Sequence, residues 1–524
     1  MPALLPILML SAVLQVPGSV IDGVVARSDS LEGIAEAQVT LWTDAVAPPA
    51  AEAITDVSGK FEFRNVQPGE YRISASRAGF TSGQFGKHSP YGAPALLRVT
   101  GNERLAGLVV RVFPTAAIAG RITSVQAGMP VSRAGVELLK ADYDAEGLRG
   151  LDVVNVAYTD ADGNYRFSSV PPDRYEIATE AATLDGELYA PLYYPASAAE
   201  DGAREIDLAP GENLEHIDVA LSLSRSGSIR GQLVDGLFRR IPHMDWISLT
   251  PRTEGSPTGF RKRQMNQSTF EVPNVAPGSY YLSYYRFDDE QRATAAVRVD
   301  VRDGDVEDVV VVSGAACDIT GRFRADGFSL NAGTIKIAFR PLDDPTSIIA
   351  TSWYVDPFGN LQTLAMGCDP HRFSVEKIPP GVYVKSARLG NVDVLKDGLS
   401  FPATTKVLDV VLAKAAGAVA GLVVDGRAKP VESSHVVLVP RVSGLSRPDL
   451  TKAVNTDQLG RFEITGVAPG EYDLYAWEEM PQHLYYDPDF VKLFAGLGRQ
   501  VVVASKGSVT TQVAIIPALT PSTR

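Results

Sequence analysis

The sequence predicts an all-β protein built as five tandem two-sheet β-sandwiches. Three observations lead to this fold class: a pattern that recurs about every 100 residues, period-two alternation of apolar residues, and 46 glycines with 35 prolines among 524 residues. A period of about 100 residues is that of a domain, since solenoid repeats have periods of roughly 20–50 residues. The alternation indicates strands that bury one face, and glycine and proline favour tight turns between such strands.

The recurring pattern is clearest in residues 55–73, 159–177 and 456–474, where Thr-Asp-x-x-Gly-x-aromatic precedes a Pro-Gly-x-Tyr-x-apolar segment or a close variant. Two further copies are eroded. The third lacks the Asp-x-x-Gly turn, and the fourth places His371 where the others have glycine, next to Phe373. The marker tyrosines of the five copies are Tyr71, Tyr175, Tyr280, Tyr383 and Tyr472.

The physical role of each part of the pattern can be predicted. Asp56–Gly59 predicts a hairpin turn with glycine at positive φ, and Pro68–Gly69 predicts a type II turn with glycine in the left-handed region. The marker tyrosines are expected to point into the cores. Trp42, Trp246 and Trp353 lie within predicted strands, so core packing is expected for them.

The five predicted domains are named repeats 1 to 5 here. Their predicted ranges are 19–115, 116–224, 225–314, 315–415 and 416–524, with repeats 3 and 4 eroded. Residues 1–18 are predicted to be a signal peptide, because the apolar run Met1–Leu14 is too short to span a bilayer. The first residues contain no Lys or Arg, which signal peptides usually carry at this point. A buried first strand or a misplaced start codon is therefore an open alternative. The predicted location is secreted, periplasmic or in the cell envelope, with no membrane span in the mature chain.

Charge and cysteine content narrow the classes of partner. The net charge is −13 and no basic stripe is present, which argues against a nucleic-acid partner and against an anionic membrane surface. Cys317 and Cys368, both in repeat 4, could pair in an oxidising compartment. Two buried free thiols are the alternative.

Motifs that carry catalysis are missing from the sequence. It has no Gly-x-Ser-x-Gly elbow, no phosphate-binding Gly-x-x-x-x-Gly-Lys loop and no histidine pair at metal-ligand spacing. Asp160–Asn164 faintly resembles a calcium loop, but Pro171 occupies the twelfth position, so a plain turn is favoured. No catalytic residue, metal or cofactor is predicted, although a hydrolase with an unrecognised site stays open.

The repeated segments resemble the carboxypeptidase regulatory-like domain, a family also described as transthyretin-like or carbohydrate-binding-like and related to the B-type repeats of collagen adhesins. The resemblance is strong in repeats 1, 2 and 5 and weak in repeats 3 and 4. It implies the sandwich fold, but it specifies function poorly because the motif consists of core and turn residues. The layout resembles exported bacterial proteins built from such domains.

Aromatic residues after the Pro-Gly-x-Tyr strands are the candidate binding residues, because rings in loops at a sandwich edge could stack on sugars or anchor a protein. They are Tyr189, Tyr193, Tyr194, Trp477, Tyr485 and Tyr486. The alternative is that they cover the sandwich end or pack at a joint between repeats. The predicted function is a non-catalytic binding or scaffold protein for polysaccharide or an envelope protein. A structural spacer, with the shape of an extended rod, is the second candidate, and the oligomeric state is left open.

Overall fold

The computed structural model describes residues 18–518, except for residues 44–47, 91, 126–127, 144–148, 181, 185–186, 190, 198–201, 223–226, 236–245, 252–260, 266–267, 288–291, 303, 316–318, 330–331, 343–350, 362–369, 401–406, 444, 446 and 482. This part of the chain contains 41 β-strands and two short α-helices. The predicted all-β class of two-sheet sandwiches is confirmed. Both cysteines and residues 1–17 lie outside the described residues, so the disulfide and the signal peptide stay predictions, as do the domain boundaries.

Repeat 1 is a sandwich of two small sheets. Its strands are β1 (Ser19–Arg27), β2 (Gln38–Trp42), β3 (Ala51–Ile54), β4 (Lys60–Val66), β5 (Gly69–Ser76), β6 (Phe80–Thr81), β7 (Gly83–Gln84), β8 (Leu97–Val99) and β9 (Arg104–Pro114). One sheet has the order β4-β1-β9-β6, and the other has the order β3-β2-β5-β7 with β8 also beside β5. Ile21 and Phe61 of the first sheet meet Leu41 and Ile73 of the second in one buried cluster.

Repeat 2 repeats this arrangement. Its strands are β10 (Ala116–Ser124), β11 (Gly135–Tyr143), β12 (Arg149–Tyr158), β13 (Asn164–Val170), β14 (Arg174–Thr179), β15 (Ala182–Leu184), β16 (Glu187–Tyr189), β17 (Ile206–Asp207), β18 (Asn213–Leu214) and β19 (Val219–Leu221). The first sheet places β13 and the short strands β18 and β19 beside β10, and the second has the order β12-β11-β14-β17. A separate hairpin, β15-β16, precedes the aromatic segment 189–195.

Repeat 3 joins its two layers into a single sheet. Its strands are β20 (Gly227–Asp235), β21 (Trp246–Pro251), β22 (Arg261–Gln264), β23 (Thr269–Val275), β24 (Gly278–Phe287), β25 (Arg292–Val301) and β26 (Val306–Ala315). Their order is β22-β21-β24-β25-β26-β20-β23. The join is the pairing of Ala293 with Ala315 and of Thr294 with Gly314, which connects β25 to β26. The buried cluster still draws on both halves, from Ile229 to Leu282.

Repeat 4 has sheets of five and three strands. Its elements are β27 (Thr320–Ala325), β28 (Lys336–Pro341), β29 (Thr351–Tyr354), β30 (Asn360–Leu361), β31 (His371–Lys377), β32 (Val382–Leu389), β33 (Val392–Asp393), α1 (Val394–Asp397) and β34 (Val407–Lys414). The sheet orders are β30-β27-β34-β32-β33 and β29-β28-β31.

Repeat 5 contains β35 (Gly417–Val424), β36 (His435–Pro440), β37 (Lys452–Asn455), β38 (Arg461–Val467), β39 (Gly470–Trp477), α2 (Pro488–Leu493), β40 (Arg499–Val503) and β41 (Ser508–Ala514). Its sheets have the orders β38-β35-β41 and β37-β36-β39-β40. In every repeat the first strand runs parallel to a late strand, as β1 does to β9 and β35 to β41. This shared pairing is what makes the five ranges one structural pattern.

The early glycine of each repeat is explained by a close approach in the first sheet. A Cβ atom on Gly23 would lie 2.3 Å from the carbonyl oxygen of Leu108 and 2.8 Å from the ring of Phe61. Gly421 is confined in the same way by Thr511 and Phe462. Glycine is therefore needed here because the neighbouring backbone and the core aromatic leave no room for a side chain.

The Asp-x-x-Gly segments form the predicted tight turns. In repeat 1 the Asp56 carboxylate accepts hydrogen bonds from the backbone N–H groups of Ser58 and Lys60, at 2.8 and 2.9 Å, and Gly59 has φ of +78°. Asp160 accepts the equivalent bonds at 2.9 and 2.8 Å. These bonds lower the pKa of both carboxyl groups and use their oxygens within the turn, which supports the turn interpretation of Asp160–Asn164.

Four marker tyrosines close the loop that precedes their own strand. The phenol of each donates a hydrogen bond of 2.8 or 2.9 Å to the backbone carbonyl four residues earlier. The donors are Tyr71, Tyr175, Tyr280 and Tyr472. All four rings are at most 5% exposed, so the expectation that these tyrosines point inward is confirmed.

The predicted type II turn at Pro68–Gly69 is wrong. Left-handed φ angles occur instead three residues before each proline or its equivalent, at Asn65 (+59°), Ser169 (+58°) and Asn274 (+57°). Gly69 serves a different purpose, because a Cβ atom there would lie 3.3 Å from the ring of Tyr71, which folds back over it. The glycine makes room for the tyrosine and not for an unusual backbone angle.

The assignment of the fourth copy is also wrong. Gly321 pairs with Leu361, as Gly23 pairs with Phe61, so Asp356–Gly359 is the Asp-x-x-Gly turn of repeat 4. His371 pairs with Pro341 in the way that Tyr472 pairs with Pro440. The position of the marker tyrosine is thus held by the buried His371, and Tyr383 lies half-buried on β32, in the other sheet.

The expectation for the tryptophans holds only in part. Trp42 is half-buried on β2, where its indole N–H donates to the Ser74 hydroxyl at 3.0 Å. Trp246 is 43% exposed, so core packing is wrong for this residue. The side chain of Trp353 lies outside the described residues.

Candidate functional site

Repeat 5 contacts repeat 1, although three repeats separate them in the sequence. The backbone N–H of Arg98 donates to the side-chain oxygen of Gln458 at 3.2 Å, and the Gln458 amide donates back to the Arg98 carbonyl at 3.0 Å. Leu96 forms a parallel β-bridge with Asp457. The Arg98 guanidinium lies 3.8 Å from the buried Asp457 carboxylate. Main-chain and side-chain bonds together fix the register of this contact.

Repeat 5 also contacts repeat 2, through the segment after β39. A ring nitrogen of His483 lies 3.1 Å from the Asp142 carboxylate. Tyr143, at the end of β11, packs against a buried aromatic cluster of repeat 5 that includes Trp477, Phe490 and Phe494. Repeats 1, 2 and 5 therefore meet at one place.

A cleft of about 820 Å³ lies where the three repeats meet. Strands of all three contribute to its walls, from Arg72 on β5 and Lys140 on β11 to Ala453 on β37. A volume of about 300–1,000 Å³ is typical of ligand sites in proteins, and such sites often form at domain interfaces. Its position and size make it the candidate site of this protein.

The cleft has a basic excess, in contrast to the acidic chain. Seven Lys and Arg residues line it against five Asp and Glu residues, whereas the whole chain has a net charge of −13. The seven cations are Arg72, Lys87, Arg98, Lys140, Arg149, Arg174 and Arg461.

Several of these cations already have carboxylate partners. Arg98 lies 3.0 Å from Glu70 and 3.8 Å from Glu463. Lys140 forms an ion pair with Asp173, and Arg149 pairs with the buried Glu176. These pairs fix the walls of the cleft and leave fewer charges available to a ligand.

Lys87 is different, because it is half-buried and has no carboxylate within 4.0 Å among the described residues. It follows β7, where its backbone N–H donates to the Gln84 carbonyl at 3.1 Å. Burial lowers the pKa of its ammonium group; Asp173 opposes this effect and the positive charge of Lys140 adds to it. Its charge is thus only partly compensated within the protein.

The candidate binding residues of repeat 2 lie mostly inside. Tyr189 and Tyr193 are each 4% exposed, and burial raises the pKa of Tyr193 to about 12. Tyr194 is half-buried and packs against the core of repeat 2. These rings present little surface to solvent, as the alternative interpretation expected.

The candidates of repeat 5 divide between core and cleft. Trp477 is 2% exposed and stacks on Tyr475 with ring centroids 5.0 Å apart, so it packs at the joint with repeat 2. Tyr485 and Tyr486 are half-buried neighbours with centroids 4.6 Å apart, and Tyr485 lines the cleft. Ligand binding by the six residues stays a prediction, and Tyr485 is the one that the geometry places in the cleft.

Sequence reasoning missed Lys87, Lys140 and Arg98, because their proximity depends on how repeats pack against one another. The segment between β7 and β8 is long for a connection in this repeat, and its described residues 85–90 and 92–96 form no regular strand. Within the described part of the chain, no group of three or more His, Cys, Asp or Glu side chains is placed to bind a metal. Neither described helix has the length and apolar character needed to cross a bilayer.

A comparison with known protein families gives one match, which lies within repeat 1. Residues 20–94 match the carboxypeptidase regulatory-like domain, which confirms the resemblance seen in the sequence. No curated protein is significantly similar to the chain.

Several solved structures of bacterial proteins, two of them pilins, are similar to parts of the chain. A streptococcal ancillary pilin is 15% identical with a TM-score of 0.22, over 55% of this chain and 98% of the pilin. GBS52, the minor pilin of Streptococcus agalactiae, is 13% identical with a TM-score of 0.24, over 39% and 96%. The Bacillus anthracis TIE protein is 10% identical with a TM-score of 0.18, over 75% and 73%. At this level of similarity, their functions do not transfer to this chain.

Proposed function

We propose that this chain is an exported, non-catalytic, multi-domain binding protein whose ligand is a carbohydrate, held in the cleft between repeats 1, 2 and 5. The single observation that carries the proposal is the cleft itself, about 820 Å³ in volume and lined by three separate repeats. Because its walls come from distant parts of the chain, the site exists only when repeat 5 lies against repeats 1 and 2.

The contacts between repeats 1 and 5 support binding over a linear spacer. A spacer needs contacts only between successive domains, whereas Arg98 and Gln458 exchange two hydrogen bonds across a sequence separation of 360 residues. The spacer hypothesis expects an extended rod. Contact between the first and last repeats does not fit such a rod.

The chemistry of the cleft suits hydroxyl-rich ligands. Carboxylates such as Glu70 and Glu463 accept hydrogen bonds, and guanidinium groups such as that of Arg72 donate them. Tyr485 adds an aromatic ring to the lining of the cleft. Polar groups beside an aromatic surface are the combination that recognises a sugar ring, which has hydroxyl groups at its rim and an apolar face.

Blocking the cleft tests this proposal. Ala453 is exposed on β37 and lines the cleft, so Ala453→Trp fills the site without entering a core. We expect the wild-type chain to be retarded in affinity electrophoresis by at least one polymer of a glycan panel, and Ala453→Trp to lose at least about tenfold in affinity. The matched control is Ala106→Trp, on the exposed surface of β9 and away from the cleft.

Two outcomes would contradict the proposal. Equal retention of Ala453→Trp and Ala106→Trp would mean that binding occurs outside the cleft. Retention by no polymer would contradict carbohydrate binding itself. The bound polymer is also assayed for new reducing ends. Their release would show hydrolysis and would contradict the non-catalytic part of the proposal.

Export is tested separately. Full-length chain fused at its C-terminus to a reporter that is active only outside the cytoplasm should give signal, and removal of residues 2–18 should abolish it. Equal signal from both chains would contradict the signal peptide predicted from the apolar run Met1–Leu14.

A further inference from the structure

Lys87 is the cation of the cleft with the least compensation. A half-buried ammonium group loses hydration, and this cost is normally offset by a carboxylate in contact. Among the described residues no carboxylate lies within 4.0 Å of Lys87, although it is near enough to Asp173 and Lys140 for both to affect its pKa. The protein therefore holds a desolvated positive charge whose counter-charge is incomplete.

The wall opposite Lys87 does not supply the missing charge. Asp173, in repeat 2, is already in an ion pair with Lys140. Asp173 contacts Lys140 and acts on Lys87 only through space, which leaves an excess positive charge at the joint between repeats 1 and 2. Like charges in a partly desolvated site repel each other, and an anion bound beside them would reduce this repulsion.

Further cations extend this excess along the cleft. Arg72 of repeat 1 and Arg461 of repeat 5 both line it, and neither side chain has an ion pair within the described residues. Together with Lys87, they place cations that have no ion pair with a described residue on the walls formed by repeats 1 and 5. A cleft whose lining carries more positive than negative charge attracts anionic ligands, even in a protein of net negative charge.

We propose that the cleft selects anionic carbohydrates, with Lys87 as the principal contact for the acidic group of the sugar and with Arg72 and Arg461 lining the same cleft. The inference rests on the proposed function and adds the charge of the ligand to it. Carboxylate and sulfate groups share the chemistry that would recognise these cations, since both accept charge-assisted hydrogen bonds from ammonium and guanidinium groups.

The test compares polymers that differ in charge. The full-length chain is examined by affinity electrophoresis against polygalacturonate, which carries carboxylates, dextran sulfate, which carries sulfates, and neutral dextran. We expect retention at least about tenfold stronger on an anionic polymer than on dextran, falling as NaCl rises from 50 to 500 mM because salt screens the charges. The difference between polygalacturonate and dextran sulfate identifies the preferred acidic group.

A charge variant assigns the effect to Lys87. Lys87→Met should lower affinity for the preferred anionic polymer at least about fivefold, and Lys87→Arg should restore most of it. The control is Lys385→Met, which removes one positive charge from an exposed ion pair with Asp326 in repeat 4, outside the cleft. Thermal unfolding and the contact between repeats 1 and 5, followed by crosslinking, should be the same in Lys87→Met as in the wild type.

The outcomes separate the two proposals. If dextran binds as tightly as the anionic polymers and Ala453→Trp abolishes both, the cleft binds carbohydrate but the inference about charge is wrong. If Lys385→Met weakens binding as much as Lys87→Met, the effect is one of net charge and the assignment to the cleft is wrong. If no polymer binds, both proposals fail.

Discussion

Repeats 4 and 5 carry nearly the same sequence around their marker tyrosines but use it in different ways. In repeat 5, Tyr472 lies on β39 beside β36, is 1% exposed and donates to the Ala468 carbonyl at 2.9 Å. In repeat 4, Tyr383 lies on β32 beside β34, in the other sheet, and is half-buried. The Pro-Gly-x-Tyr segment therefore does not fix its own position, because the pairing partner of the strand that follows decides which side chains are buried.

The difference extends to the glycine of this segment. Gly381 of repeat 4 has φ of +70°, in the left-handed region, whereas the φ angle of Gly470 in repeat 5 lies outside that region. A Cβ atom added to Gly470 would lie 3.4 Å from the ring of Tyr472. In repeat 4 the glycine serves a turn, and in repeat 5 it lies beside a ring that a Cβ atom would meet in ordinary contact. Changes at the same motif position should thus destabilise the two repeats to different extents.

The largest expected difference comes from removing the ring. Tyr472→Ala should destabilise repeat 5 by about 3–5 kcal/mol, because it empties a fully buried site, and Tyr383→Ala should cost repeat 4 about 1 kcal/mol or less. Hydrogen exchange of peptides from β38–β39 and from β31–β32 in the full-length chain measures each effect in its own repeat. Equal losses in the two repeats would mean that Tyr383 is a core residue after all.

At the glycines we expect a smaller difference in stability, and here repeat 4 should lose more than repeat 5. Gly381→Ala should destabilise repeat 4 by about 1–2 kcal/mol, because alanine is strained at positive φ while open space surrounds the position. Gly470→Ala should cost less than about 1 kcal/mol, since the backbone is unstrained and the contact with Tyr472 is an ordinary one. The same exchange measurement, with thermal unfolding as a second readout, checks the order; a larger loss at Gly470 would contradict the assigned turn of repeat 4.

The smallest expected effect isolates the phenol hydroxyl. Tyr472→Phe keeps the ring and removes one hydrogen bond, which should cost about 1 kcal/mol, as should Tyr71→Phe in repeat 1. Tyr383→Phe should leave stability unchanged within about 0.5 kcal/mol, because Tyr383 forms no equivalent bond to the carbonyl of Pro379 in the described structure. A loss of stability at Tyr383 equal to that at Tyr472 would show that the Tyr383 hydroxyl also forms a stabilising hydrogen bond, so that the two repeats do not differ at this position.

Local pattern was sufficient for much of the fold. Alternation placed Phe61, Phe63 and Ile73 in the core of repeat 1, and the Asp-x-x-Gly signal located turns such as Asp56–Gly59. These features depend on side chains and backbone within a few residues, so they can be predicted from composition and spacing. In repeat 4 the same approach failed, because Phe373 and His371 fit the motif in spacing while their strand pairs with β28 in the second sheet.

The candidate site was harder to predict from the sequence than the fold. The six aromatic residues were chosen because they follow the Pro-Gly-x-Tyr strands, yet Trp477, Tyr189 and Tyr193 are covered by neighbouring side chains. The cleft that Tyr485 shares with Lys87 and Lys140 is formed by three repeats. No spacing within one repeat encodes such a meeting, since it depends on the orientation of whole domains.

By itself, the sequence determined that this protein is all-β, that its repeats follow one sandwich pattern and that Tyr71, Tyr175, Tyr280 and Tyr472 face inward, because these features follow from periodicity and turn chemistry over short distances. Tertiary structure alone decided that repeat 5 lies against repeats 1 and 2, and that a half-buried lysine from one repeat faces an ion pair of another. Contacts of this kind join surfaces hundreds of residues apart, and their free energy depends on shape and charge that no local pattern records.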